Sequence, residues 1–164
     1  MISQIFWILS EYLIFRIFLY GGSHGAFISI HLAADYPKSF KAVVARNPVT
    51  NKAIKSQASD IPDNGMLVDV NTSGIPLPTS MPTLYNASPI ARVSEINIPI
   101  YLMVGKHDKR VPPSQAISFY HEMKGLGKGD LIKMNLYDDC HPLPKPSVHM
   151  NVMINTALFY NDIC

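Results

Sequence analysis

The sequence predicts an α/β fold, a parallel sheet flanked by helices, and three observations predict it. Short apolar runs alternate with longer segments of helical spacing, the pattern of strands joined by crossover helices. A glycine-rich turn, Gly21-Gly22-Ser23-His24-Gly25, joins the first run to the first helical segment. The polar residues richest in chemistry follow the ends of apolar runs, where sheets of this kind carry their ligand sites.

The elements follow in order. Arg16 to Tyr20 reads as a short buried strand, and "HGAFISIHLAADYP" from His24 as a helix stopped by Pro37. Helical spacing puts Phe27, Ile30 and Ala34 on one core-facing stripe. "FKAVVARNP" supplies a strand around Ala42 to Ala45. An irregular excursion runs from Val49 to about Met81, its polar and Pro/Gly-rich composition interrupted by Ile61, Met66, Leu67, Val68 and Ile75. "IPIYLMVG" is almost wholly apolar and predicts a strand buried on both faces. "PSQAISFYHEMKGLG" predicts a helix with Ile117, Tyr120 and Leu126 in register, closed by Gly127. "DLIKMNLYD" is the last strand. "SVHMNVMINTALFYNDI" is a terminal helix whose core side carries Val148, Val152, Ile154, Leu158 and Phe159.

Composition narrows the function. The 164 residues suit one domain with one core. Fourteen Lys and Arg against twelve Asp and Glu leave a charge of +2 with no basic run, which excludes nucleic acid as an expected partner. Cys140 and Cys164 form neither a CxxC pair nor a disulfide framework, a usage that fits a reducing, cytoplasmic setting. The N-terminal "MISQIFWILSEYLIFRIFLY" is broken by Glu11 and Arg16, so it falls short of the roughly 18 uninterrupted apolar residues of a spanning helix. It also lacks the flanks of a signal peptide. Residues 1–15 are therefore set apart as an apolar segment of uncertain origin, ahead of a domain spanning 16–164.

Ser23 carries the chemistry. In a Gly-x-Ser-x-Gly turn between strand and helix, the serine stands in a strained backbone with its hydroxyl raised above the sheet end. The following helix presents free amides that favour developing negative charge. A serine capping a helix behind a glycine turn would read alike; the strand before and helix after favour a nucleophile. A serine nucleophile needs a base and a group to orient that base, here in the order serine, acid, histidine. Asp108, past the end of "IYLMVG", and His141, past the end of "KMNLY", occupy the expected loops. Asp138 and Asp139 read as solvated loop charges, His149 as a surface or capping residue, and His31 and His121 as helix positions. His24 follows Ser23 too closely to serve as its base. His107 beside Asp108 could suggest a metal, but no His-x-x-x-His, His-x-x-Glu-His or cysteine cluster accompanies it, so no metal is expected. Arg46 and Asn47, at the end of the second strand, either line a substrate pocket or cap their loop.

"GGSHGAF", "ARNPV", "SDIPD", "DKRVPPSQ" and "CHPL" together resemble the C-terminal part of the catalytic domain of the acylaminoacyl-peptidases, within the prolyl oligopeptidase group. The resemblance runs from about Arg16 to the C-terminus. It implies an α/β-hydrolase fold and a serine peptidase that needs no cofactor and releases N-acylated amino acids from short peptides. By the same resemblance Ser23 is nucleophile, Asp108 acid and His141 base, the three that the residues themselves select. The backbone N–H of His24 is the oxyanion donor that can be named. The propeller and early hydrolase strands of such enzymes, one of whose loops supplies a second oxyanion donor, find no match here, and one missing donor costs about a hundredfold in turnover. Ala26 stands where a further glycine is usual, and "HPLPKP" follows the base. The expectation is thus the C-terminal portion of an α/β-hydrolase with its early strands missing, of reduced or no activity, and unstable alone. Its open sheet edge would be covered by a homo-oligomer or a partner. Two alternatives stand beside it: a non-catalytic remnant acting as an interaction module, and an esterase or lipase of the same fold.

Overall fold

Four strands run parallel and pair in the order of the chain: β1 (Phe18–Gly22), β2 (Ala42–Arg46), β3 (Ile100–Gly105) and β4 (Ile132–Tyr137). The computed structural model describes residues 16–61 and 76–163. Leu19 pairs with Val43, Val44 with Tyr101, and Leu102 with Met134. The helices are α1 (His24–Asp35), α2 (Lys52–Ala58), α3 (Met81–Asn86), α4 (Ser114–Gly125) and α5 (Pro146–Ile163).

Side chains alternate across the sheet and so build two apolar layers. Val43, Ala45, Ile100 and Leu102 face α1 and α4, where they meet Ala26, Ile30, Phe119 and Met123. Val44, Tyr101, Met103 and Tyr137 face the opposite way and meet Val152 of α5, with Phe159 and Tyr160 packed against them. Phe18 stacks on Tyr160 with ring centroids 4.3 Å apart, and the Tyr160 hydroxyl donates to the Leu19 carbonyl at 2.8 Å. Every residue of β3 is buried, as its unbroken apolar run requires. β1 lies at the edge of the sheet among the described residues.

Several sequence expectations shift here. The first strand begins two residues later than its apolar run and takes in both glycines of the turn. In α4 the buried positions are Gln115, Ala116, Phe119 and Met123, whereas Ile117 and Tyr120 are half-buried and Leu126 is 49% exposed. Two apolar stripes overlap on this helix, and the Gln115 amide chooses between them. Its Oε1 accepts the N–H groups of Thr50 and Asn51 at 3.1 and 2.8 Å, turning that side inward. In α5, Val152 is buried but Ile154 and Leu158 are exposed, because the helix carries apolar residues on most of its circumference and spacing alone assigns no inner face.

The excursion after β2 is more regular than its composition suggests. Asn51 caps α2 by accepting the Ala53 N–H at 3.0 Å, and short helical turns at Pro78–Ser80 and Pro89–Glu95 flank α3. Met66, Leu67, Val68 and Ile75 lie outside the described residues, as do residues 1–15 and Cys164. Gly127 closes α4 at φ 73°, with the Lys128 N–H reaching back to the Met123 carbonyl at 2.9 Å.

Candidate active site

The chain passes from β1 to α1 through a single residue. Ser23 has φ 56° and ψ −119°, its N–H donates to the Arg46 carbonyl at 2.8 Å, and its carbonyl accepts the Phe27 N–H at 3.2 Å. A side-chain-bearing residue at positive φ costs about 1–3 kcal/mol, which the bonds on either side must hold in place. The Ser23 hydroxyl makes no capping bond to the helix. The amides of His24, Gly25 and Ala26 open the helix without intrahelical acceptors.

Tight approach of strand and helix makes the turn possible. A Cβ on Gly21 would stand 2.4 Å from both the carbonyl carbon and the oxygen of Gly25. Gly25 itself faces open space, with nothing within 4 Å of the position a Cβ would take. The two glycines of the motif therefore have different duties, a distinction that the motif as a pattern hides. Ala26 is fully buried against the sheet.

Asp108 and His141 arrive from the next-but-one and last strand ends. The Asp108 side chain is fully buried, and its two oxygens divide the work. Oδ1 accepts the N–H groups of Arg110 and Val111 at 2.9 and 2.8 Å, while Oδ2 lies 2.6 Å from His141 Nδ1. The carboxylate is thereby locked in rotation and aimed at one ring nitrogen, which fixes that nitrogen as the protonated one and leaves Nε2 with a lone pair. His141 is about one quarter exposed and, with Ser23, Gly22, Arg46 and Pro142, lines a cavity of 240 Å³.

The remaining polar residues sort by contact. Arg46 forms the cavity wall, its guanidinium 5.2 Å from the Tyr20 ring centroid and its buried Nε without an acceptor. Asn47, at φ 42° and 2% exposed, turns its amide away from solvent into the strand ends. Asp138 is exposed and pairs with His107 and Lys145, which hold its carboxyl down at about 2, Lys145 contributing most. Asp139, expected as a solvated charge, is 3% exposed: its two oxygens accept the N–H groups of Cys140 and Lys145 at 2.8 and 3.0 Å. It staples the loop that carries His141, a role that a lone acidic letter between polar neighbours cannot announce. His149 and His121 are exposed, and His31 packs on Phe27 with centroids 4.5 Å apart. Among the described residues, no group of three His, Cys, Asp or Glu side chains is placed to hold a metal ion, and no helix is long and apolar enough to cross a membrane.

The sequence pattern of the prolyl oligopeptidase family matches residues 6–162. The chain belongs to that family. Among its relatives, the acylamino-acid-releasing enzyme of Mus musculus is 33% identical in an alignment of 156 positions that covers 88% of this chain and 20% of the mouse protein. The enzyme of the same name from Arabidopsis thaliana is 32% identical over 154 residues, covering 91% and 20% of the two chains. The chain thus spans about one fifth of the length of these relatives. Solved structures share the fold. The acylaminoacyl peptidase of Pyrococcus horikoshii superposes with a TM-score of 0.70 at 22% identity, over 89% of this chain and 23% of that one. A puromycin-hydrolyzing peptidase of Mycobacterium tuberculosis reaches 0.76 at 19% identity, over 90% and 22%. The fold is that of the family's α/β-hydrolases, with the parallel sheet flanked by helices that the alternation of the sequence predicts.

Proposed function

We propose that this family member is a serine hydrolase that releases N-acylated amino acids from short peptides, with Ser23, His141 and Asp108 as its proton relay. One observation carries the reading: His141 holds Nδ1 on a buried carboxylate at 2.6 Å while sharing a cavity with the Ser23 hydroxyl. Ser23 Oγ attacks the carbonyl carbon of the scissile amide, and its proton passes to His141 Nε2. Asp108 stabilises the imidazolium that results. The oxyanion meets the His24 N–H at the start of α1. Collapse of the tetrahedral adduct breaks the C–N bond, and His141 returns the proton to the departing amine. Water, deprotonated by the same imidazole, then cleaves the acyl-enzyme ester and frees Ser23. Arg46, on the cavity wall, contacts the bound substrate. No step calls for a cofactor.

A fluorophosphonate probe tests this directly. Expected is labelling that vanishes in Ser23→Ala and falls at least 1,000-fold in rate in His141→Ala, on the order of the loss when such a triad loses a member. A folded chain that takes no label would overturn the proposal and leave a binding module as the reading.

A further inference from the structure

We infer that Asn47 is the positioning residue that ties the base to the acid, an inference that rests on the roles proposed above for His141 and Asp108. Asn47 follows the last residue of β2, where φ 42° swings its side chain across the ends of the neighbouring strands. Asparagine tolerates that left-handed conformation better than most residues. Three bonds fix it. Its N–H donates to the Met103 carbonyl at 3.0 Å, its Oδ1 accepts the Gly105 N–H at 2.7 Å, and its Nδ2 donates to the His141 carbonyl at 2.7 Å.

One planar amide therefore bridges the end of β3 and the loop after β4. Gly105 is the last residue of β3, three before Asp108, and His141 lies in the loop after β4. The loop after β4 also approaches Gly105 directly: a Cβ there would meet the carbonyl oxygens of Asp139 and Cys140 at 2.7 and 2.8 Å. The bonds that Asp139 makes to Cys140 and Lys145, and that Leu143 makes to Cys140, are internal to the base loop and shape it without anchoring it. Outside that loop, the His107 N–H holds the Asp139 carbonyl at 2.9 Å, two residues before the base. The main chain of His141 itself is held by Asn47. Fixing that carbonyl fixes the pivot about which the imidazole swings between Asp108 and Ser23. A displacement of about 1 Å at such a pivot costs on the order of 100-fold in rate.

Two substitutions separate positioning from mere packing. Asn47→Asp keeps the shape and the acceptor for Gly105 but, when ionised, sets an oxygen against the His141 carbonyl in place of a donor. When protonated, it can donate again. Asn47→Gly keeps the backbone conformation and removes the amide. Expected for Asn47→Gly is a fluorophosphonate labelling rate about 10–100-fold below the unsubstituted chain, in a constant ratio from pH 6 to 9. It comes with a fall in kcat and little change in KM on N-acetyl-alanine p-nitroanilide. For Asn47→Asp the deficit widens as pH rises, because burial at this position raises the pKa of the new carboxyl and its ionisation destroys the donor. Should Asn47→Gly fail to fold, by circular dichroism, Asn47→Asp carries the test alone. If the unsubstituted chain labels at Ser23 and both folded variants match it at every pH, the inference is overturned while the hydrolytic reading stands. If the unsubstituted chain does not label, both fall.

Discussion

Replacing Gly21 and Gly25 by alanine, one at a time, should destabilise the fold at the first position and not at the second. The two glycines flank the same serine, and a motif treats them alike. Their surroundings do not. At Gly21 the added methyl would stand 2.4 Å from two backbone atoms of Gly25 and 2.7 Å from the amide nitrogen of Ala26. Ordinary contact begins about 1 Å further out, and backbone atoms in the first turn of a helix cannot rotate aside as a side chain could. α1 must therefore lift from β1, loosening Ala26, Ile30 and Ala33, all fully buried. Overpacking of this kind costs typically about 1–3 kcal/mol, and the backbone identity of the obstacle puts Gly21→Ala at the upper end or beyond. At Gly25 the methyl meets nothing within 4 Å, and alanine is the better helix former by about 0.8–1 kcal/mol. Gly25→Ala should be neutral to stabilising. Urea denaturation of the three chains, followed by far-ultraviolet circular dichroism, gives the two differences. Equal losses at both positions, or a harmless Gly21→Ala, would refute the close-approach argument.

Asp108→Asn should cost about 10,000-fold in Ser23 labelling rate without unfolding the chain, because Oδ1 can keep both backbone amides while the new NH₂ group faces Nδ1 and forces the wrong imidazole tautomer; stopped-time labelling measures it. Phe119→Ala, deleting a fully buried ring beneath the sheet, should destabilise by about 3–5 kcal/mol in the same urea titration. Burial, then the Arg92 charge, lowers the His31 pKa below 6.5. The unfolded chain therefore binds this proton first on acidification, so the stability tied to neutral His31 is full above about pH 6.5 and is lost as pH falls through the folded value. Melting temperatures from pH 7 to 5 should fall more steeply in the unsubstituted chain than in His31→Phe.

The sequence made the sheet legible because β3 is an unbroken apolar run and β2 is apolar up to Arg46, both bounded by turn residues, a pattern that admits few other structures. The triad candidates were legible for a related reason: each follows the end of a predicted strand. Which face of a helix turns inward was not, since α4 and α5 each carry more apolar residues than one face holds. In α4 the choice falls to Gln115, a polar residue that spacing rules ignore. Asp139 reads as a solvated charge, and the choice at Asn47 stays open, for the same physical cause. A short polar side chain in a loop looks solvated until its backbone partners are known, and those partners come from other strands. The Asn47 bond to His141 spans 94 residues, beyond any local pattern.

The hydroxyl of Tyr160 grips the main chain of Leu19 across a separation of 141 residues. β1 thus waits for two elements made later: β2 to pair with it, and α5 to cover it. Between the serine turn and the loop of His141 the chain must first make β2, β3 and β4. Non-local parallel pairing of this sort assembles slowly. The cavity that Ser23 and His141 share therefore exists only once all four described strands have paired.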